Sequence, residues 1–223
     1  SLGLAVSGGG DSMALTWIAH RWARDRGVTL RLATVDHGLR PEAAKEAAEV
    51  AAFASRLGLS HDTLHWQGWD GRGNLQDAAR RARRRLLSAW AAEQELGAVL
   101  IAHTADDQAE TFLLRLARGS GVDGLSAMRE ARQEGGLLWL RPLLGVRREV
   151  LRDLLRTQGL GWAEDPSNAD PRYDRVRMRQ ALPALGALGL TVERLSDTAA
   201  RLAEARDCLL YTSDAADEED SVD

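Results

Sequence analysis

Short apolar segments alternate with longer amphipathic segments along the first half of the chain. The apolar segments predict strands at residues 2–6, 28–35 and 98–103, and a further strand is predicted at the more polar residues 61–66. The longer segments repeat apolar residues at helical spacing and predict helices at residues 13–26, 42–57, 74–96 and 105–116. Strands and helices that alternate in this way form a parallel sheet with helices on both faces. We therefore predict an α/β fold that is followed by a small helical segment.

Polar segments follow three of the predicted strands directly, at residues 7–12, 36–40 and 103–110. In open parallel sheets, ligands bind beyond the carboxyl ends of the strands. We therefore expect these segments to converge at one edge of the sheet, and such convergence favours an enzyme.

The first of these segments is rich in glycine and joins a strand to a helix. Glycine permits positive φ angles and lets a ligand approach the backbone closely, and N–H groups at a helix N-terminus bind anions. The segment lacks the Gly-Lys-Ser/Thr ending of a Walker A loop. The alternative is a tight turn in which Ser7 or Asp11 caps the helix. The predicted phosphate-binding residues are Ser7, Gly8, Gly9, Gly10, Asp11 and Ser12, and the Asp11 carboxylate is suited to Mg²⁺.

Charge is distributed unevenly along the chain. The formal net charge is −4, but residues 214–223 hold six acids and no base, which leaves +2 for residues 1–213. An arginine cluster lies in and before the predicted third helix: Arg72, Arg80, Arg81, Arg83, Arg84 and Arg85. Such a face is either solvated or in contact with phosphate, and the sequence leaves both interpretations open.

Composition excludes several classes of site. The only cysteine is Cys208, which rules out an internal disulfide, a CxxC redox pair and a cysteine-based zinc or iron–sulfur site within this chain. No apolar run approaches the length of a membrane span, so we expect a cytoplasmic protein without a membrane partner. We predict a catalytic nucleotide-binding domain at residues 1–185 and the start of a helical linker or second domain at residues 186–208. Residues 209–223 are expected to be a disordered acidic tail, and they resemble translated adaptor sequence.

The glycine-rich segment resembles the pyrophosphate loop of the N-type ATP pyrophosphatases, the PP-loop superfamily. Further motifs extend the resemblance: Val35-Asp36-His37-Gly38-Leu39-Arg40, Asn74-Leu75-Gln76-Asp77-Ala78-Ala79-Arg80-Arg81-Ala82-Arg83, Ala102-His103-Thr104-Ala105-Asp106-Asp107-Gln108-Ala109-Glu110-Thr111, Arg141-Pro142-Leu143-Leu144 and Glu164-Asp165-Pro166-Ser167-Asn168. Together they resemble the tRNA(Ile)-lysidine synthetase family from residue 2 to about residue 183.

The resemblance implies a Rossmann-like, adenine nucleotide alpha hydrolase-like fold and an ATP-dependent ligase. Enzymes of this family adenylate the C2 oxygen of the wobble cytidine in the CAU anticodon of an isoleucine tRNA. Free L-lysine then attacks C2, which gives lysidine and releases AMP. The implied co-substrate and metal are ATP and Mg²⁺, the implied partner is tRNA(Ile), and a homodimer is one option. The alternatives are another PP-loop enzyme that modifies tRNA or amidates its substrate, and an ATP-binding module without catalysis.

The resemblance also assigns roles to residues. The positions that match catalytic or binding positions of the family are Asp11, Arg83, Asp107, Glu110 and Arg179. Asp107 and Glu110, which are neighbours on one helix face, would bind the lysine ammonium group. Further candidates for substrate binding are Asp36, His37, Arg80, His103 and Asp106.

Simpler interpretations exist for some of these residues. Thr104 and Asp107 fit a capping-box variant at a helix start. His103 could be a packed histidine, and Asp36 and His37 could shape the turn before Gly38. Two positions depart from the family, since Arg84 stands where many members have tyrosine, and residues 175–179 lack an asparagine that many members carry.

Overall fold

The computed structural model describes residues 1–38, 42–67, 69, 72–164 and 170–219, and the side chains among them as far as residue 211. The chain forms two compact units. The sheet unit comprises Ser1–His103, Glu130–Leu143 and Arg148–Asp165, and the helical unit comprises Thr104–Arg129, Leu144–Arg147 and Pro166–Asp223. Residues 1–185, which we predicted to be one catalytic domain, include parts of both units, and that domain assignment stays a prediction. Two parts of the motifs lie outside the described residues, namely residues 39–40 and residues 165–168.

Six strands form the sheet, in the order β3-β2-β1-β4-β6-β5. Their bounds are β1 (Leu2–Ala5), β2 (Leu30–Asp36), β3 (Ser60–His65), β4 (Ala98–Ile101), β5 (Ala131–Glu134) and β6 (Leu137–Leu140). All neighbouring pairs are parallel except β5 and β6, which are antiparallel. The predicted parallel sheet is thus confirmed, with one correction: an antiparallel strand lies at its edge.

The helices are α1 (Gly10–Arg24), α2 (Glu42–Arg56), α3 (Leu75–Glu93), α4 (Ala105–Leu116), α5 (Val122–Leu125), α6 (Arg148–Thr157), α7 (Asp174–Ala187) and α8 (Val192–Glu219). In the sheet unit, α1 and α2 lead the chain from β1 outward to β3, and α3 returns it to β4 on the other side of β1. Because such crossovers are right-handed, the reversal places helices on both faces of the sheet, as predicted.

The core of the sheet unit is built on the central strands and α3. Val99 of β4 and Trp139 of β6 are buried together with Trp90 of α3, and Trp90 Nε1 donates a hydrogen bond to Asp62 Oδ2 at 2.8 Å. A Cβ at Gly3 would lie 2.7 Å from the Trp90 ring. Glycine at this position therefore lets α3 pack directly onto β1.

The helical unit has a core of its own. Phe112 and Leu113 of α4 are buried with Leu195 and Ala199 of α8. Arg206 of α8 is 7% exposed, and its guanidinium donates a hydrogen bond to Ser126 Oγ. Burial of these apolar faces explains why the helices associate.

Several elements differ from the sequence prediction. Helix α1 begins at Gly10, three residues before the predicted start, because the glycine-rich segment itself forms its first turn. The hairpin of β5 and β6 was not predicted. Helix α8 continues to Glu219, where we predicted disorder from residue 209, since the leucine, alanine and glutamate residues there have high helix propensity. In the part of the chain that the structure describes, no helix combines the length and apolar character needed to cross a membrane.

Candidate functional site

The glycine-rich loop is a structured turn between β1 and α1. Gly8 has a φ angle of +83°, a value that glycine adopts without strain. Gly9 occupies the N-cap position of α1, without a side-chain cap, so neither Ser7 nor Asp11 acts as the predicted alternative cap. Ser12 Oγ donates to the Gly9 carbonyl at 2.9 Å and accepts from the Ser7 N–H at 3.2 Å.

With these contacts in place, the backbone N–H groups at the start of α1 have a geometry that suits an anion. The N–H groups of a first helical turn have no partner within the helix, and the helix dipole adds partial positive charge there. The loop hydroxyls hold the backbone while these N–H groups stay directed along the helix axis. The turn is therefore suited to a phosphate group.

A segment far along the chain covers one side of the loop. The Ala163 N–H donates to the Gly8 carbonyl at 2.9 Å, and Gly9 and Ala163 form a parallel bridge. A Cβ at Gly10 would lie 3.4 Å from Trp162, so Trp162 packs against the loop backbone. We did not predict this contact, because nothing in the local pattern around Trp162 points to the loop.

Asp11 forms an ion pair with the first residue of α6. Nε of Arg148 lies 3.0 Å from Asp11 Oδ2, and the side chains are 14% and 23% exposed, respectively. The sequence motifs pointed to Asp11 but not to Arg148, which lies 137 positions away. Among the described residues, no group of three or more histidines, cysteines and acids is placed to hold a metal ion. A Mg²⁺ ion bound through substrate phosphates needs only one or two carboxylates, so Asp11 fits that role.

The carboxyl end of β2, next to β1 in the sheet, presents Asp36 and His37. The Gly38 N–H donates to Asp36 Oδ1 at 2.8 Å, so Asp36 shapes the turn, as one interpretation predicted. The His37 ring meets the Trp66 ring edge-on, with centroids 5.8 Å apart. Burial, reinforced by the positive charge of Arg83, lowers the pKa of His37, which favours the neutral imidazole.

Arg83 and Arg80 lie on the same helix, α3, in different environments. Arg80 is exposed. Arg83 is half-buried, and burial lowers the pKa of its guanidinium. No ion pair of Arg83 is found among the described residues. A buried cation without a partner is costly, so Arg83 is suited to receive an anion or a polar ligand atom.

His103 follows β4 and contacts a buried arginine. Nε of Arg141 donates to His103 Nδ1 at 3.2 Å, and Arg141 is 6% exposed. Burial, together with the nearby charges of Arg84 and Arg132, lowers the pKa of Arg141. His103 is therefore a hydrogen-bonded histidine in this structure. Arg141 belongs to the Arg141-Pro142-Leu143-Leu144 motif, but its contact with His103 was not predicted.

In the helical unit, Asp107 takes part in a capping box at the start of α4. Its Oδ2 accepts from the N–H and from the hydroxyl of Thr104, both at 2.9 Å, and the residue is 8% exposed. Thr104 and Asp107 thus form the capping box that their spacing predicted. It does not exclude a second role, since a carboxylate accepts about four hydrogen bonds.

Glu110 lies on the same helix, with no exposed side-chain surface. Nε of Arg179, from α7, lies 2.7 Å from Glu110 Oε1, and Nη2 of Arg179 lies 3.3 Å from Oε2. We selected both residues separately and did not predict their pairing. Asp106 forms an ion pair with Arg147, at 3.4 Å. Asp107 and Glu110 thus bring two carboxylates to one buried turn of α4, and Arg179 forms an ion pair with Glu110.

The sheet unit has the architecture of a nucleotide-binding α/β protein, in which the first parallel strand leads through a glycine-rich turn into a helix. A family model described as PP-loop domain matches residues 1–185, and the chain belongs to this family.

The chain is similar to tRNA(Ile)-lysidine synthases from several bacteria. It is 56% identical to that of Ruegeria pomeroyi over 208 residues, which are 93% of this chain and 50% of that protein. It is 48% identical to that of Bradyrhizobium diazoefficiens over 219 residues, which are 97% of this chain and 61% of that protein. The chain therefore spans about half the length of the curated relatives it matches.

A solved structure has the same fold at low sequence identity. It is the U34-tRNA thiolase NcsA from Methanococcus maripaludis with its [4Fe-4S] cluster, with a TM-score of 0.76, 16% identity and coverage of 91% of this chain and 71% of that one. This likeness concerns the fold alone.

Proposed function

We propose that the chain is the catalytic part of a tRNA(Ile)-lysidine synthase, which converts the wobble cytidine of a CAU anticodon to lysidine. The observation that carries the proposal is the match to lysidine synthases at 48–56% identity across more than 90% of the chain, together with a glycine loop suited to phosphate. Because the chain spans only about half of these relatives, activity and substrates are our inference.

In the first step, the cytosine C2 oxygen attacks the α-phosphorus of ATP, and pyrophosphate leaves. Backbone N–H groups of Gly8, Gly9 and Gly10, with the hydroxyl of Ser7, bind the triphosphate in this proposal. Ser12, whose hydroxyl donates to the Gly9 carbonyl, holds the loop in shape. Arg83, which has a partly buried guanidinium, stabilises the charge that develops during adenylation. When Mg²⁺ is bound, it neutralises phosphate charge, and Asp11 is the carboxylate that would hold it.

In the second step, the lysine ε-amine attacks C2, the bond from C2 to the adenylate oxygen breaks, and AMP leaves. The amine arrives as ammonium and loses a proton before it attacks. Asp107 and Glu110 lie three residues apart on one buried turn of α4, and carboxylates are the groups that bind an ammonium ion most strongly. We propose that they bind the ammonium group and that one of them accepts its proton.

The remaining candidates contribute to tRNA binding in this proposal. Arg80 is exposed on α3 and is suited to a phosphate of the tRNA backbone. Asp36, His37, His103 and Asp106 are proposed to contact substrate groups. Since tRNA is a cytoplasmic substrate, we keep the cytoplasmic assignment. The homodimer stays a prediction that light scattering of the purified chain would check.

Another PP-loop chemistry is the main alternative. Thiolation with an iron–sulfur cluster needs several cysteine ligands, and Cys208 alone cannot supply them. Amidation would use ammonia in place of lysine. An ATP-binding module without catalysis would release no pyrophosphate.

The test measures pyrophosphate release and the mass of the anticodon nucleotide after incubation with ATP and CAU tRNA. We expect the mass of lysidine at position 34 only when lysine is present, and no product when ammonia replaces lysine. The matched control is the chain with Asp11→Asn, which should release no pyrophosphate. The proposal would be overturned if a product formed with ammonia. It would also be overturned if pyrophosphate were released in the presence of lysine while the tRNA stayed unmodified.

A further inference from the structure

Three arginines surround the buried indole of Trp139 on one face of the sheet. Arg132 lies directly opposite Trp139 in the antiparallel pairing of β5 with β6, and opposed residues place their side chains on the same face. Arg141 lies two positions beyond Trp139, so it shares this face by strand alternation, and its N–H extends the ladder with a bond to the Glu130 carbonyl at 2.8 Å. Arg84, from α3, has its guanidinium carbon 5.6 Å from the centre of the Trp139 ring. The fold therefore collects three cations from two separate segments of the chain.

Two of these arginines share one carboxylate. Nη1 of Arg84 lies 2.5 Å from Glu134 Oε2, and Nε of Arg132 lies 3.3 Å from the same oxygen. Within the described part of the chain, the ion pairs of both arginines are made with this one acid. Because two guanidiniums on one carboxylate leave a net positive charge, a second anion at this place is electrostatically favourable.

The indole of Trp139 adds a hydrogen-bond donor that lacks an acceptor. Trp139 is 1% exposed, and its Nε1 makes no hydrogen bond to any of the residues that the structure describes. More than about 90% of buried polar groups in proteins are paired. An indole N–H and a guanidinium only donate, so donors exceed acceptors in this cluster. The excess favours a ligand that carries several acceptor oxygens.

The cluster can be reached from solvent at the edge of the sheet. The side chain of Arg84 is 33% exposed and that of Arg132 is 55% exposed, and β5 is the edge strand. Arg80, which we propose contacts the tRNA backbone, precedes Arg84 by four residues and therefore lies on the same face of α3. These arginines form a basic stripe that runs from α3 to the sheet edge.

The position of the stripe in the sheet separates it from the triphosphate. The glycine loop follows β1, and β4 lies between β1 and β6. At a spacing of about 4.8 Å between neighbouring strands, β6 lies about 10 Å from β1, and β5 lies one strand further out. An anion bound at β5 therefore comes from another part of the substrate than the phosphates at the glycine loop.

We propose that Arg84 and Arg132 bind a phosphodiester of the RNA backbone at the β5 edge of the sheet. Guanidiniums bind phosphate oxygens through paired, charge-assisted hydrogen bonds. Glu134 holds the two side chains in place in the free chain, and the phosphate competes with it for their donors. The inference rests on the proposed function for the identity of the RNA, which is the anticodon arm of a CAU tRNA. A backbone contact of this kind positions the RNA without reading its sequence.

Equilibrium binding of RNA hairpins to the intact chain, without ATP or lysine, tests the site. One hairpin is the CAU anticodon arm, and a second has the same stem with an unrelated anticodon. A separate titration measures ATP affinity. Arg84→Gln and Arg132→Gln each remove one guanidinium, and Arg84→Lys keeps the charge. The matched controls are Arg156→Gln and Asp153→Asn, which alter an exposed ion pair on α6.

We expect Arg84→Gln and Arg132→Gln to weaken binding of both hairpins by about threefold or more. Each should also reduce the slope of log affinity against log salt by about 0.7–0.9. Arg84→Lys should keep the slope, because the ammonium retains the charge, although affinity falls because the planar guanidinium is lost. ATP affinity should stay at the wild-type value in all of these variants, and the Arg156→Gln control should leave the slope unchanged.

Glu134→Gln distinguishes phosphate binding from a purely structural role of the ion pairs. Glutamine still accepts a hydrogen bond, but it removes the charge that competes with phosphate. We therefore expect both hairpins to bind at least about twofold tighter than in the Asp153→Asn control. If the ion pairs only hold β5 against α3, the same variant should loosen the hairpin of strands and give no gain in RNA affinity. That result would overturn the site.

Two further results would overturn it. One is a wild-type salt slope in both Arg84→Gln and Arg132→Gln. The other is a loss of ATP affinity with unchanged RNA binding, which would assign the arginines to the nucleotide. Lysidine formation with unaltered slopes contradicts this inference alone, whereas arginine-dependent RNA binding without lysidine contradicts only the proposed function.

Discussion

Nε of Arg179 lies 2.7 Å from Oε1 of Glu110, and Glu110 has no exposed side-chain surface, whereas Arg179 is 36% exposed. The two charges therefore differ in how well water can solvate each of them after its partner is removed. A guanidinium at the surface regains water, but a carboxylate inside the protein does not. This difference in burial predicts that substitutions of the two residues have unequal costs in stability.

Arg179→Gln should destabilise the chain more than Glu110→Gln does. The first change removes the guanidinium from a fully buried carboxylate, and removal of one partner of a buried pair costs about 3–5 kcal/mol. The second leaves a guanidinium that water can reach, so we expect about 1–2 kcal/mol. Urea denaturation gives both values. Arg156→Gln, which removes exposed ion pairs with Glu149 and Asp153, is the control and should cost less than about 1 kcal/mol. The reverse order of the first two variants would show that Glu110 is accessible to water.

Asp107→Asn should separate the two half-reactions. The asparagine can still accept from Thr104 and retain the cap, but it removes the charge proposed to bind lysine. We expect the KM for lysine to rise at least about tenfold, with pyrophosphate release nearly unchanged. Thr104→Val is the matched control, since it weakens the cap by about 1 kcal/mol while the charge stays. Equal loss of both half-reactions in Asp107→Asn would contradict binding of the amine by Asp107.

The sheet was predictable from the sequence because its central strands are apolar throughout. Strand β4 reads Ala-Val-Leu-Ile and lies between strands on both sides. The edge strand β5 reads Ala-Arg-Gln-Glu, and three of its four residues are exposed. Such a strand has no apolar pattern that distinguishes it from a loop, which explains why the hairpin was missed.

The site was predictable only where its residues are close in sequence. The glycine loop and the Thr104–Asp107 capping box follow from local patterns, since each is complete within six residues. Asp11 and Arg148 are 137 positions apart, and Glu110 and Arg179 are 69 apart. Their pairing depends on tertiary packing, and a single sequence carries no signal for it.

Gly9→Ala should weaken nucleotide binding without unfolding the chain. A Cβ at Gly9 meets only Ser7 Oγ, at 3.6 Å, and the φ angle of −70° suits alanine. We expect the substitution to cost less than about 1 kcal/mol of stability. The added methyl group would nevertheless occupy the space in which the triphosphate approaches the backbone. Titration with ATP should show at least about tenfold weaker binding.

Gly145→Ala is the control for this change, because a Cβ at Gly145 would have no atom of the described residues within 4 Å. It should leave both stability and ATP affinity unchanged. Normal ATP affinity in Gly9→Ala would mean that the triphosphate lies away from the glycine loop.

Stability should fall as pH drops below the ordinary histidine pKa of 6.5. Burial lowers the pKa of both His37 and His61 in the folded chain. Between the folded and unfolded pKa values the unfolded state binds more protons, so stability is lost as pH falls through this range. The free energy of unfolding should therefore be smaller at about pH 5.5 than at about pH 7.5. His37→Asn should reduce this difference, and an unchanged difference would contradict the depressed pKa of His37.

Arg80→Ala tests whether α3 contacts the tRNA. If Arg80 binds a phosphate, its loss should weaken binding of CAU tRNA and reduce the slope of log affinity against log salt by about 0.7–0.9. Arg21→Ala, an exposed arginine in the last turn of α1, is the matched control and should leave the slope unchanged. Filter binding across a series of salt concentrations measures both. An equal slope in Arg80→Ala and the wild type would assign this face of α3 to solvent, since a solvated arginine releases no counterion when the tRNA binds.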